Sequence, residues 1–244
     1  MSEATKRLRR KDLRQPDEFV TLTGQVAEWA RENSRAVAIA ASAVAVLLIA
    51  FGLWSWVAQS RAARAARDFY AADELFKRDQ WDQAEKGFVE LADALPSTPY
   101  GRLARLYAGR AALRGGRSAE AVGHLQAFLA SPVSDPAIEQ LARMNLGVAL
   151  AAQGQLDTAR QELSRAVEMD GPARGESILE LARVEEAAGQ NDKALEDYQR
   201  YLSDDPNAVA RDLARTRILA LGGTPPAVAP PSFPGGGAPQ IAVQ

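Results

Sequence analysis

The sequence has no cysteine and only one histidine, His124. Without cysteine there is no disulfide, no thiolate metal ligand, no cysteine nucleophile and no lipid-modified cysteine. A single histidine satisfies none of the usual metal-site or catalytic geometries, so His124 is predicted to be a partly exposed structural residue. These absences exclude the commonest metal and redox sites.

Motifs that support catalysis are also absent. The sequence contains no glycine-rich phosphate loop, no HExxH and no nucleophile elbow. The adjacent carboxylates Glu185 and Glu186 diverge by about 100° on a helix, so they cannot converge on one substrate and are predicted to form a solvated helix face. We therefore expect no enzyme activity, no cofactor and no metal site.

Positive charge is not in excess. The 29 Lys and Arg residues stand against 31 Asp and Glu residues, which gives a net charge of −2. A nucleic-acid-binding protein needs a clustered basic face, so no nucleic-acid partner is expected. The hydrophobic content of 47% is typical of a globular protein.

One feature that is present stands out, an uncharged run of 25 residues, 36–60, between Arg35 and Arg61. At 1.5 Å per residue, a helix of this length crosses a hydrocarbon layer roughly 30 Å thick. The 35 residues before the run and the run itself are both too long for a signal peptide, so a retained transmembrane helix is predicted at 36–58. Trp54 and Trp56 lie near its second end, where indole rings settle at the headgroups.

The segment 1–35 is predicted to be a cytoplasmic basic tail. It holds eight Lys and Arg residues, and short tails obey the positive-inside rule. Counting only the nearest 20 residues on each side of the run gives two basic residues before it and five after it, which favours the opposite orientation. The first count has more weight because long domains cross a membrane largely regardless of charge. The domain after the span is therefore expected outside the cytoplasm.

The tail has a helical pattern of its own. After Pro16, the apolar residues Phe19, Leu22, Val26 and Trp29 recur at helical spacing. This spacing predicts an amphipathic helix. Two interpretations stay open: an interfacial helix on the inner leaflet, or a short extension of the membrane helix.

Residues 65–206 form internal repeats. In each of four units an alanine, here called the repeat alanine, is followed four residues later by a large residue, at spacings of 37, 38 and 35: Ala84 and Phe88, Ala121 and Leu125, Ala159 and Leu163, Ala194 and Tyr198. Twelve residues before each repeat alanine stands a small residue: Ala72, Gly109, Gly147 and Ala182. Five residues before the last three stands a glycine: Gly116, Gly154 and Gly189.

Each repeated residue has a physical reason. The small residue of a first helix lets the second helix pack closely, and the glycine ends the first helix in a left-handed conformation. Pro96 and Pro206 end second helices because proline cannot continue the hydrogen-bond ladder. The pattern resembles the tetratricopeptide repeat. Four other residues stand where that family usually has tryptophan: Asp68, Arg105, Arg143 and Ile178.

The predicted fold is all-α. One N-terminal transmembrane helix precedes a domain at 59–221, which contains a solenoid of about four helical hairpins and a capping helix at 208–221. The first hairpin is expected to continue from the membrane helix, since no Gly or Pro intervenes between Val57 and Asp79. The Pro- and Gly-rich segment 222–244 is predicted to be disordered, more often a solvated spacer than a binding tail.

By the family's geometry, the first helices line a concave surface that binds peptides. Apolar anchors ringed by arginines suit a partly acidic or extended peptide. The alternative is that several of these side chains pack against neighbouring hairpins. The predicted surface consists of Phe69, Asp73, Phe76, Leu103, Leu106, Arg110, Leu113, Arg114, Leu141, Met144, Val148, Leu179 and Arg183.

The order of segments narrows the resemblance. A basic tail with an amphipathic segment (DEFVTLTGQVAEWARENSR), one span, and a helix leading into repeats (AARDFYAADELFKRDQWDQAEKGFVELADALPSTPYGRLARLYAGRAAL) are similar to the YfgM-like family, ancillary subunits of the bacterial SecYEG translocon. The resemblance implies a single-span inner-membrane protein whose periplasmic repeats link secreted chains to chaperones. The Pro- and Gly-rich tail is not typical of that family. Two alternatives stay open: a scaffold of another envelope machine, for division, outer-membrane assembly or secretion, and a repeat domain that faces the cytoplasm.

Overall fold

The computed structural model describes residues 29–205 and 209–226. Pro206, the tail from residue 227 onward, and residues 17–28 of the predicted amphipathic segment 17–35 lie outside these residues. The chain divides into two compact units, Met1–Ser60 and Arg61–Gln244. The segment limits expected at residues 35, 58 and 221 stay predictions.

The first unit contains the apolar part of helix α1, Ser34–Lys77, whose later residues belong to the second unit. With a mean hydropathy of 2.6 and no buried residue in its apolar window, α1 is the helix of the described residues that is long and apolar enough to cross a membrane. Its large apolar side chains, such as Ile39, Leu47 and Trp54, are largely exposed. Such a surface is typical of a helix that contacts lipid.

The second unit is a series of helical hairpins closed by one further helix. The end of α1 pairs with the first of the following helices, and each later pair forms the next hairpin: α2 Trp81–Ala94, α3 Pro99–Arg114, α4 Ser118–Leu129, α5 Pro136–Ala152, α6 Leu156–Glu168, α7 Arg174–Ala187, α8 Asn191–Asp204 and α9 Arg211–Ala220. The residues that the structure describes contain no strand. The all-α repeat fold is confirmed.

The repeat residues lie where the two helices of each hairpin meet. All four repeat alanines and the four large residues that follow them have no solvent exposure. A Cβ added to Gly147 would lie 2.5 Å from Cγ of Leu163, and one added to Gly109 would lie 2.6 Å from Cγ of Leu125. The helices approach too closely for a side chain at these positions, which is the reason predicted for the small residue.

The four hairpins share one turn. In each, the residue five positions before the repeat alanine has a left-handed backbone, with φ of 77°, 75° and 73° at Gly116, Gly154 and Gly189. The first hairpin has Asp79 at this position, with φ of 59°. The next amide then donates to a carbonyl five residues back, as from Gln155 to Leu150 at 3.0 Å. This hydrogen bond closes the first helix in the manner of a Schellman motif.

Side-chain hydrogen bonds stabilise the two longer connections, from α4 to α5 and from α6 to α7. Asp135 caps α5, since its Oδ1 accepts from the amide of Ala137 at 2.9 Å. The connection from α6 to α7 is held by the fully buried Gln140, whose amide donates to the carbonyls of Ala166 and Met169. Oε1 of Gln140 accepts from the amide of Ala173 at 3.1 Å. The extra residues of this connection are thus packed against α5.

Buried apolar residues form two cores. The aromatic core lies between α1, α2 and α3, and its rings include Phe69 and Phe88, whose centroids are 5.2 Å apart. The aliphatic core extends from α3 to α9 and is built mainly of Ala, Leu, Val and Ile. The two cores share partly buried Leu103 and Tyr107 at their boundary.

Candidate functional site

The first helices of the hairpins form one layer. Besides its own hairpin partner, α3 contacts the next first helix α5, and α5 contacts α7. Side chains on this layer that point away from the second helices are therefore the candidate binding residues.

The structure divides the predicted surface residues by repeat position. Fifteen residues before each repeat alanine, all four side chains are buried, at no more than 5% exposure: Phe69, Leu106, Met144 and Leu179. Seven others are partly buried: Asp73, Phe76, Leu103, Arg110, Leu113, Leu141 and Val148. Two are exposed: Arg114 and Arg183. The buried set packs in the cores, and the other nine remain accessible to a partner.

Arg110 lies against aromatic rings at the boundary between the first two hairpins. Its Cζ is 4.9 Å from the ring centroid of Tyr107 and 5.6 Å from that of Phe76. Phe76 also meets the ring of Trp81 edge-on, at 4.9 Å between centroids. Stacking on aromatic faces holds a guanidinium in place without neutralising its charge. Trp81 belongs to a second helix, so the sequence pattern did not include it in the surface.

The three predicted arginines differ in their partners. Arg183 pairs with Glu180 at 2.6 Å, and burial raises the pKa of Glu180 although Arg183 opposes that rise. Arg110 and Arg114 have no carboxylate partner within the part of the chain that the structure describes. They lie four residues apart on α3, on neighbouring positions of one face. The surface therefore has two positive charges that pair with no carboxylate among the described residues, and one of them, Arg110, lies against Phe76.

A second polar cluster joins the second helices of the first two hairpins. Arg117 pairs with Glu85 and Asp82 of α2 and, at 2.8 Å, with Glu120 of α4. His124 Nε2 is 3.0 Å from the other Glu85 oxygen, and its side chain is 23% exposed. His124 thus has the environment of a partly exposed structural histidine. The carboxylates of this cluster are already paired with cations of the same domain.

Glu185 corrects a prediction. The expected solvated face at Glu185 and Glu186 is wrong, because Glu185 is only 5% exposed and its Oε2 has no hydrogen-bond partner among the described residues. Burial, followed by the nearby charge of Asp197, raises the pKa of Glu185 to about 7. Glu186 accepts from the Tyr198 hydroxyl at 3.0 Å and pairs with Arg217 of α9 at 3.2 Å. The Glu185 carboxyl is therefore buried, and the Glu186 carboxylate binds the capping helix α9 through Arg217.

A cleft of about 710 Å³ lies where the connection from α4 to α5 passes the start of α3. Its walls are mainly apolar, with Leu103, Phe128, Val133 and Ile138 among them. Arg102 lies at its edge. Within residues 29–205 and 209–226, no group of three His, Asp or Glu side chains is placed to hold a metal ion.

Comparisons with known proteins agree with this geometry. A family model described as "Tetratricopeptide repeat-like domain" matches residues 27–174, and one described as "Tetratricopeptide repeat" matches residues 144–209. No curated protein matches the chain.

Two solved structures illustrate the likeness. The crystal structure of MamA is 22% identical, with a TM-score of 0.52, over 62% of this chain and 81% of that chain. The TPR-like repeats assigned to a kinesin light chain of Podosopora anserina are 20% identical, with a TM-score of 0.54, over 66% of this chain and 86% of that chain. At these identities the likeness shows the fold. Because the first family model spans more than half of the residues, the chain belongs to the tetratricopeptide repeat-like family.

Proposed function

We propose that this protein is a membrane-anchored interaction scaffold whose first-helix face binds an extended, partly acidic segment of a partner protein. The tetratricopeptide repeat fold is a protein-interaction scaffold, and a repeat array has no need of catalytic groups to perform that role. One observation carries the proposal. Arg110 and Arg114 lie on one face of α3 without a carboxylate partner among the described residues, beside the accessible ring of Phe76.

This arrangement suits a peptide for two reasons. A guanidinium that stacks on Phe76 and Tyr107 is already oriented, so less side-chain entropy is lost when it binds a carboxylate. Charge-assisted hydrogen bonds to a carboxylate are stronger than neutral ones. The neighbouring Leu113, Val148 and Leu141 offer partly exposed apolar surface for the side chains of an extended segment.

The similarity to the YfgM-like family supports a more specific role. In this proposal, α1 anchors the protein in a bacterial inner membrane, residues 1–35 stay in the cytoplasm and the repeats lie in the periplasm. The partners are then the SecYEG translocon, secreted chains and periplasmic chaperones. The exposed apolar part of α1 supports the anchor, and the repeats support binding of protein partners.

Affinity purification at native expression level tests this role. The chain is recovered from gently solubilised membranes beside a variant whose residues 36–58 are replaced by an unrelated span, and co-purifying proteins are identified by mass spectrometry. Translocon subunits that co-purify with the native span and are lost with the replaced one support the proposal. Recovery of another envelope complex with either span favours the alternative, a scaffold of a different envelope machine.

Charge reversal tests the first-helix face. Arg110→Glu with Arg114→Glu should lower recovery of the partner by at least about tenfold, since charged hydrogen bonds contribute roughly 1.5–3 kcal/mol each. The matched control is Arg165→Glu with Arg200→Glu, an equal charge change at exposed sites on α6 and α8. Equal partner recovery from both double variants, with unchanged circular dichroism, would contradict the proposed face.

A reporter tests the orientation. Alkaline phosphatase fused after Gln244 should be active, because that enzyme matures outside the cytoplasm where disulfides form. An inactive phosphatase fusion together with a fluorescent GFP fusion would place the repeats in the cytoplasm and favour a cytosolic peptide partner.

A further inference from the structure

The cleft between the second and third hairpins lies at a repeat position that is closed by hydrogen bonds in the next hairpin. Nineteen residues before the repeat alanine, the third hairpin has Gln140 and the second has Arg102. Gln140 is fully buried and holds the α6–α7 connection with three hydrogen bonds. Arg102 is exposed and, among the described residues, bonds no part of the α4–α5 connection.

The difference leaves apolar surface uncovered. Leu103, Val133 and Ile138 are only partly buried, and the buried Phe128 also lines the cleft. Two charged side chains of the lining are already engaged, since Asp135 caps α5 and Arg105 pairs with Asp93 at 3.2 Å, and the third, Arg102, is exposed to solvent. A charged peptide would leave its own charges desolvated against these walls, whereas an uncharged apolar segment would not.

We propose that this cleft binds the C-terminal segment 238–244 (APQIAVQ) of the same chain. Residues 222–244 contain no Asp, Glu, Lys or Arg, and the segment has two large apolar side chains, Ile241 and Val243. Pro239 restricts the free segment, which lowers the entropy cost of binding in an extended form. The proposal rests on the cleft and not on the function proposed for the first-helix face.

The chain between the last described residues and this segment is long enough. The carbonyl of Thr224 accepts from Nε2 of Gln199 at 3.2 Å, so the C-terminal residues leave the domain beside α8. Only three helices separate α5 from α9, so their axes lie roughly 40 Å apart if each neighbouring pair is 8–10 Å apart. The twelve residue-to-residue steps from Pro226 to Ala238 span roughly 40 Å when extended.

Disulfide trapping tests the proposal, because the natural chain has no cysteine. The full chain in membranes carries Ser134→Cys at the cleft with Ala242→Cys in the segment, and a mild oxidant is added. The matched control is Ser203→Cys with Ala242→Cys. Ser203 is exposed on α8, one turn from Gln199, where the C-terminal residues leave the domain.

A bound segment should give a disulfide between positions 134 and 242 at least about tenfold faster than between 203 and 242, at the monomer mass. A freely moving segment favours position 203, which lies nearer to the point where the chain leaves the domain. Equal or faster reaction at position 203 would overturn the proposal. A product at the mass of a dimer would assign the cleft to another copy's segment and would equally contradict binding within one chain.

Two further variants separate binding from mere proximity. Ile241→Asp with Val243→Asp should slow the reaction at position 134 to the rate of the control, since carboxylates do not enter an apolar cleft. Ala227→Asp with Ala229→Asp adds the same charge outside the segment and should leave the rate unchanged. If both pairs of substitutions have the same effect, the apolar side chains do not carry the contact and the proposal fails.

Discussion

The aromatic core and the aliphatic core are built on the same repeat positions with different side chains. Phe88, Leu125, Leu163 and Tyr198 hold one position and all are fully buried. In the aromatic core, Phe88 lies within 5.5 Å of the Tyr107 ring centroid and Phe69 lies 5.0 Å from it. In the aliphatic core the same position holds Leu125 and Leu163, which pack against glycines, and Tyr198 in the last hairpin. The residue four positions after each repeat alanine must be large and buried, and the side chains around it determine whether it is aromatic or aliphatic.

Truncation of the large repeat residue should have the greatest effect, and a larger one in the aromatic core. Phe88→Ala is expected to lower the free energy of unfolding by about 3–5 kcal/mol, and Leu163→Ala by about 2–5 kcal/mol. The aromatic site should lie at the upper end because Phe69 and Tyr107 both lose a ring contact there. Urea unfolding followed by circular dichroism measures both variants. An equal or smaller loss for Phe88→Ala would contradict the expected larger contribution of the aromatic core.

Glu185 is expected to make the free energy of unfolding depend on pH. Its pKa of about 7 lies above the ordinary value, and burial also raises the pKa of Asp197. Between about pH 4.5 and pH 7 the folded state holds more protons than the unfolded state, so the free energy of unfolding falls as the pH rises, by up to about 3 kcal/mol. Lys193 and Arg160 face the same carboxyl and limit the effect.

Glu185→Gln should remove most of this slope and stabilise the protein above pH 7, by about 1–3 kcal/mol. Glutamine keeps the shape and the hydrogen-bond donor of the neutral carboxyl. Urea unfolding over a pH series measures the slope, and Glu186→Gln, next to it in the sequence, is the control that should retain it. A wild-type protein whose stability rises from pH 4.5 to pH 7.5 would contradict the enclosed carboxyl.

Gly147→Ala tests the close helix approach of the aliphatic core. The new Cβ would meet Leu163 at 2.5 Å and the carbonyl of Ala159 at 3.1 Å, so a loss of about 1–3 kcal/mol is expected. Gly123→Ala on α4 is the control, because nothing lies within 4 Å of its added Cβ. There the better helix propensity of alanine should stabilise by about 0.5–1 kcal/mol. Opposite signs in thermal unfolding would establish the close approach, and equal signs would reject it.

The smallest expected effect concerns the turn of the first hairpin. Asp79 has the left-handed backbone that glycine has in the other three turns. Asp79→Gly should therefore stabilise by about 0.5–1 kcal/mol, since glycine adopts that conformation without a Cβ clash. Gly154→Ala is the reverse test and should destabilise by a similar amount. A loss of stability in Asp79→Gly would mean that the aspartate side chain contributes more than the backbone strain costs.

Much of the fold was predictable because its rules are local. A glycine after an apolar helix predicts a left-handed turn, and the spacing of the repeat alanines placed every hairpin between α1 and α8. The repeat pattern did not include the Asp79 turn, because the pattern has glycine at this position in the other three hairpins. The sequence also did not predict the burial of Glu185. Glu185 and Glu186 do point in different directions on the helix, as predicted, but Glu185 points into the protein interior.

The candidate surface was predictable only in part. The register identified which residues belong to first helices, yet it could not separate Phe69, Leu106, Met144 and Leu179 from the accessible set. These four hold one repeat position, and that position is buried in all four hairpins. The stacking of Arg110 on Phe76 joins two hairpins, so neither helix alone contains it.

The sequence by itself determined the helical hairpins, their turns, their register and the apolar run, because each depends on residues a few positions apart. The tertiary structure alone decided which register position is buried, that Gln140 closes one connection while Arg102 leaves the other open, and that Arg110 and Arg114 pair with no carboxylate among the described residues. These features depend on distances between hairpins, and such distances are fixed only when the whole array packs.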